Sequence, residues 1–143
     1  MLIGEYKYTL DSKKRLAIPA KFRRELGKKV VITRGLDNCL VLYPTEEWRT
    51  LSEKLSKLPS SRLDARGFTR IMLGGAVDVD LDKSGRILIP DYLKKYALLK
   101  KNVVLIGLSN RIEIWDEKRW QKYREKTEKE IGGIAEGLEQ LGV

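Results

Sequence analysis

Nine basic side chains fall between positions 7 and 29: Lys7, Lys13, Lys14, Arg15, Lys21, Arg23, Arg24, Lys28 and Lys29. Cations at this density suit a polyanion. Lysines supply point charges for phosphates, and an arginine on a rigid turn can make a bidentate contact to a guanine edge. The bland alternative is that Arg15 pairs with Asp11 across a turn and the lysines form a solvated face. Catalysis is poorly served. The chain has no histidine, which removes the usual general base and the commonest zinc ligand. Its single cysteine, Cys39, rules out a disulfide within the chain and opens an apolar run, so it reads as a small buried hydrophobe. No catalytic residue, cofactor or small-molecule substrate is expected.

The formal net charge is +9, and it is unevenly spread. Residues 1–50 hold 11 Lys/Arg against 6 Asp/Glu, residues 51–75 hold 5 against 2, and residues 76–143 hold 13 against 12. An excess of this kind points to nucleic acid as partner. The second half also contains Asp80-Leu-Asp82-Lys-Ser84-Gly85 with Asp91 further on, a loose match to a calcium loop. Its surroundings alternate like a strand, and Pro90 breaks the pattern, so no metal is expected there.

The elements that must position the basic cluster occur twice. Asp11-Ser-Lys-Lys-Arg15-Leu-Ala-Ile-Pro19 returns as Asp82-Lys-Ser-Gly-Arg86-Ile-Leu-Ile-Pro90. A repeat at this period signals two copies of one supersecondary unit. In each copy two short strands flank the Asp turn and read as a hairpin: Tyr6–Leu10 with Arg15–Ile18, and Val77–Leu81 with Arg86–Ile89. Gly85 supplies a left-handed turn position. Lys14 stands at the matching place in copy one, where that conformation costs about 1 kcal/mol. Pro19 and Pro90 start short helices. Ile18, Phe22 and Leu26 share a face in the first, and Leu93 and Ala97 point inward in the second.

A second strand pair follows in each copy. Thr45 is expected to cap a helix to Leu58, and Asp116 one from Glu117. Ser60–Leu73 reads as an extra helix between the copies. The tail places Thr127, Ile131, Ile134, Leu138 and Leu141 at a coiled-coil spacing that Gly132, Gly133 and Gly137 weaken, so it reads as a frayed helix or a docking segment. The copies differ in charge. Where copy one has Lys7, Thr9 and Asp11, copy two has Asp78, Asp80 and Asp82. Three carboxylates would repel a phosphate backbone, so copy one is expected to carry most of the binding.

The doubled Asp-x-x-x-Arg motif, its apolar strand and its Pro-started helix closely resemble the MraZ family of bacterial transcriptional regulators, which are built from two swapped-hairpin repeats like those of AbrB and SpoVT. The match runs from Tyr6 to about Trp120. It implies an α+β fold of mainly short strands, in which two tandem AbrB-like repeats interdigitate as an intramolecular pseudo-dimeric small barrel with peripheral helices. Repeat one would span 5–47 with a helix at 45–58 after it, a linking helix 59–75, repeat two 76–119, and a C-terminal helix or tail 120–143. The resemblance also implies sequence-specific binding to short direct repeats in the promoter of a division and cell wall gene cluster, by a ring-like homo-oligomer. DNA contacts would fall on Lys7, Lys13, Lys14, Arg15, Lys21, Arg23, Arg24 and Arg86. Asp11, Pro19, Asp82, Gly85 and Pro90 would hold the turns. With no apolar run long enough for a membrane and no signal-like N-terminus, a cytoplasmic, nucleoid-associated protein is expected. The alternative is a ring-forming interaction protein whose basic face has no specific DNA target.

Overall fold

The computed structural model describes residues 1–143. Copy one contributes β1 (Leu2–Thr9), β2 (Arg15–Ala17), α1 (Ala20–Leu26), β3 (Lys29–Arg34), β4 (Leu40–Pro44) and α2 (Thr45–Ser56). After α3 (Leu63–Gly74), copy two repeats the series with β5 (Val77–Asp80), β6 (Arg86–Leu88), α4 (Asp91–Tyr96), β7 (Asn102–Ser109), β8 (Ile112–Asp116) and α5 (Glu117–Gly137).

The copies exchange strands. Six strands pair in the order β1-β7-β8-β4-β3-β5, and β2 pairs with β6 in a separate ribbon. So β1 of copy one lies antiparallel on β7 of copy two, with Gly4 opposite Gly107, and β5 of copy two lies on β3 of copy one. Backbone bonds extend both exchanges: Leu10 N–H donates to Lys101 O at 2.8 Å, and Leu81 N–H to Lys28 O at 2.8 Å. The expected local hairpins do not form: β1 pairs with β7 and β2 with β6, each strand taking its partner from the other copy.

One core results. Nineteen buried residues form a single cluster that draws on both copies, among them Leu16, Ile18, Phe22 and Ile32 from the first and Ile87, Leu93, Leu105 and Ile114 from the second. The strands carry the alternation that such a core demands: in the ribbon, Leu16 and Ile87 are buried while their neighbours face outward. Tyr6 meets Phe22 edge-on, with centroids 5.2 Å apart. Cys39 is fully buried in a smaller cluster with Trp115, its Sγ directed at Leu36 O. Burial pushes its thiol up to about 12, which removes it from nucleophilic chemistry.

Three local expectations need correction. Thr45 does not cap α2: it is the first helical residue, and its hydroxyl donates to Lys29 O at 3.1 Å. Asp116 precedes α5, yet its carboxylate accepts from Lys100 N–H at 3.1 Å instead of capping the helix. The glycines of the tail do not interrupt α5, which runs unbroken to Gly137. No helix is long and apolar enough to cross a membrane.

Candidate nucleic-acid interface

The Asp-x-x-x-Arg spacing is a closed hydrogen-bond unit. Asp11 Oδ1 accepts from Lys13 N–H at 2.8 Å and Arg15 N–H at 2.9 Å, and Oδ2 accepts from Arg15 Nε at 3.0 Å. Asp82 repeats it with Ser84 N–H at 2.8 Å, Arg86 N–H at 2.9 Å and Arg86 Nε at 3.0 Å. An Asp side chain is the right length to gather donors two and four residues on. These backbone N–H groups, Arg15's foremost, hold the Asp11 carboxyl below the usual carboxylate range, and Arg86's does the same for Asp82. The carboxylates are engaged in building turns, which accounts for the calcium-like pattern without a cation.

Each turn leaves an arginine half-buried, its Nε occupied and its Nη groups without a protein hydrogen bond. The ribbon then brings both arginines to one face. Register pairs Arg15 with Leu88, Leu16 with Ile87 and Ala17 with Arg86. Leu16 and Ile87 point to the core, so Arg15, Ala17, Arg86 and Leu88 point out. Arg86 Nη1 lies 4.0 Å from Asp11 Oδ2, so the second copy's arginine sits inside the first copy's turn unit. Both turns therefore present their arginines on one face of one ribbon. The difference between copies is confined to Ala17 against Leu88 on that face, and Leu88 is 54% exposed.

The lysines divide into paired and free. Lys29 Nζ lies 3.4 Å from Asp78 and 3.9 Å from Asp80, so the acidic strand of copy two is countered by copy one. Lys7 reaches Glu117 at 4.0 Å, and Lys14 pairs with Asp91. Lys13, Lys21 and Arg24 are exposed without an acidic partner. Arg23 Nε donates to Ile18 O at 2.8 Å and lies across Gly85. Arg23, Lys28, Lys83 and Gly85 line a shallow hollow of about 340 Å³ beside the second turn. Pro19 and Pro90 sit one residue before α1 and α4, with φ of −51° and −60°, and set the chain direction out of the ribbon.

Sequence reasoning missed the Lys14–Asp91 and Lys29 pairs, since both depend on contacts between copies. It also missed that Arg23 accounts for Gly85. A Cβ at Gly85 would overlap the Arg23 guanidinium, whereas the residue matching Arg23 in copy two is Lys94. Lys14 does adopt the left-handed turn, with φ 61° against 72° at Gly85. Lys14→Gly relieves about 1–2 kcal/mol of backbone strain but adds about 0.5–1 kcal/mol of entropy loss on folding. The expected thermal midpoint is therefore unchanged or up by a few degrees. A midpoint lowered by more than about 5 °C, read by circular dichroism, would show that contacts of Lys14 hold the turn.

Comparison with known proteins converges on one family. The family model described as "MraZ protein, putative antitoxin-like" matches residues 1–71 and again 72–136. The transcriptional regulator MraZ of Halothermothrix orenii is 52% identical over 143 residues, covering all of both chains. Those of Caldanaerobacter subterraneus and Clostridium tetani are each 50% identical over 143 residues, again with full coverage of both chains. With two family matches laid over two strand-exchanging copies, the chain belongs to the MraZ family, whose curated relatives are transcriptional regulators.

Proposed function

We propose that this chain binds double-stranded DNA sequence-specifically, at short direct repeats in the promoter of a division and cell wall gene cluster, as a cytoplasmic, nucleoid-associated homo-oligomer of ring-like form. The observation that carries the DNA reading is the β2–β6 ribbon, with Arg15 and Arg86 on its outward face and free cations around it. A two-stranded ribbon fits the major groove. In this reading Arg15 and Arg86 meet base edges or the groove walls. Lys7, Lys13, Lys14, Lys21, Arg23 and Arg24 meet phosphates, and the exposed pairs of Lys7 and Lys14 yield to the polyanion. Asp11, Asp82, Gly85, Pro19 and Pro90 fix the turns.

The footprint of one ribbon is small. Three residues per strand span roughly 10 Å, only a few base pairs. Single-protomer binding is therefore weak, and several protomers on spaced repeats multiply it through effective concentration. The test is a gel shift and footprint on the DNA upstream of the chain's own gene, repeated across salt. With about six phosphates neutralised per protomer, affinity should fall on the order of a thousandfold between 50 and 200 mM salt. A flat salt response, or equal affinity for promoter and random DNA, would favour an interaction protein whose basic face meets an acidic partner.

A further inference from the structure

Helix α5 has two unlike halves. Its first turns are tied to the body: Trp120 Nε1 donates to Glu5 at 2.8 Å, Arg124 to Glu5 at 3.1 Å, and Trp115, Trp120 and Tyr123 form an aromatic cluster with centroids 5.1–5.8 Å apart. From Glu128 to Val143 every residue is exposed. That segment still carries an apolar stripe, with Ile131 57%, Ile134 39%, Leu138 40% and Leu141 76% exposed. It also holds Gly132, Gly133 and Gly137, with open space at each. A helix so rich in glycine, reaching on the order of 15 Å past Thr127 and bare of tertiary contacts, is poorly stable alone. It calls for a cover.

A matching surface lies elsewhere on the chain. Between α2 and α3 a hollow of about 470 Å³ is walled by Leu58, Pro59, Arg62, Asp64, Ala65 and Phe68. Phe68 also borders a neighbouring hollow of about 390 Å³ with Leu36, Leu51 and Met72. Phe68 is 43% exposed, Leu58 40% and Leu63 76%. The chain's own tail does not cover this valley, since all of its residues are exposed.

Charge selects the pairing. Residues 128–143 hold Glu128, Glu130, Glu136 and Glu139 against Lys129, a net −3 in a chain of net +9. Residues 51–75, which build the valley, hold 5 Lys/Arg against 2 Asp/Glu, a net +3. Pairing two tails along their stripes would set glutamates beside glutamates. Seating a tail in the valley brings them toward Arg62 of its wall and toward Lys54, Arg66 and Arg70, which line the adjoining hollows, and covers apolar surface on both sides.

We propose that residues 128–143 of one copy dock in the α2–α3 valley of a second copy. The contact joins two different surfaces, so it runs head to tail and closes into a ring where the rotation permits. It deepens the reading above by naming the surfaces through which the copies meet.

The test reads mass by light scattering on the full chain without DNA. Wild type should run as a multiple of 16.5 kDa. Leu138→Asp, Phe68→Asp and a chain stopped after Thr127 should each run as single protomers. Both substituted positions are exposed, so unchanged circular dichroism is expected. Mixing Leu138→Asp with Phe68→Asp should give pairs and nothing larger, because each pair holds one intact tail and one intact valley. Should Phe68→Asp lose helical signal, Leu58→Asp reads the same valley. A monomeric wild type at tens of micromolar, a variant that keeps the wild-type mass, or a mixture of folded variants that stays monomeric overturns the proposal. A chain that assembles but does not shift promoter DNA sinks the functional reading alone. One that binds promoter DNA fully as a monomer sinks this inference and the ring-like form with it, and leaves the sequence-specific DNA reading standing.

Discussion

Arg15→Ala is expected to abolish sequence-specific DNA binding while leaving the fold in place. The side chain is half-buried, and only its Nε is committed within the protein, to Asp11 at 3.0 Å. Asp11 would keep its two backbone donors, Lys13 N–H and Arg15 N–H, and the turn would keep its Lys14 N–H to Asp11 O bond at 3.0 Å. Stability should therefore change by no more than about 1 kcal/mol. A lost bidentate base contact costs about 1–3 kcal/mol per protomer, roughly tenfold or more in affinity. Every protomer on a run of repeats loses it at once, so the loss compounds across the assembly. Arg15→Lys should restore little, because an ammonium cannot present the planar fork. Gel shifts with promoter and random DNA, alongside light scattering, measure all three. Promoter binding like wild type in Arg15→Ala would end the role of Arg15.

Arg86→Ala belongs in the same experiment, since the ribbon places Arg86 and Arg15 on one face with Arg86 Nη1 4.0 Å from Asp11. The acidic strand of copy two suggested that its turn stands away from any polyanion. That inference treated like charges along a strand as uncompensated. Lys29 at 3.4 Å from Asp78 removes much of the repulsion, and only the β3–β5 register reveals it. A loss for Arg86→Ala comparable to that for Arg15→Ala would mean that the two copies share the reading. A loss much smaller would mean that Leu88, exposed beside it, turns this end of the ribbon from the groove.

What was legible in the residues was local. The repeat fixed two copies of one unit, and Gly85 against Lys14 marked a left-handed position that both residues occupy. The stripe Ile18, Phe22 and Leu26 and the buried state of Cys39 followed from spacing and polarity. Which strands pair did not follow. A turn closed by Asp11 looks the same whether its flanking strands join each other or part to the other copy, because the bonds lie within five residues. The exchange came from family resemblance, and β1 on β7 with β5 on β3 bears it out. Caps failed for a related reason. Thr45 and Asp116 are good capping residues by type, but each met a nearer partner supplied by another strand or loop, Lys29 O and Lys100 N–H. The tail's glycines argued for fraying, and nothing local shows that the helix persists past them.

Phe22→Ala should produce the largest loss of stability, about 3–5 kcal/mol, and the loss should spread to both copies. Phe22 is fully buried on α1, edge-on to Tyr6 of β1, a strand whose hydrogen bonds all run to copy two. Its counterpart on α4 is Leu93, also fully buried and in the same cluster. Removing the ring leaves a cavity in the cluster that both copies build, and it cannot collapse without dragging the exchanged strands. A domain of this size is stable by about 5–15 kcal/mol, so the variant should melt on the order of 10 °C lower. The shape of the transition is the sharper reading. With one core built by both copies, Phe22→Ala and Leu93→Ala should each lower a single cooperative transition seen alike by far-ultraviolet dichroism and tryptophan fluorescence. Trp48 sits in copy one and Trp115 and Trp120 in copy two, so fluorescence samples both. A variant that melts in two steps, its own copy first, would show that each repeat holds a core of its own and that the strand exchange joins two finished units instead of making one.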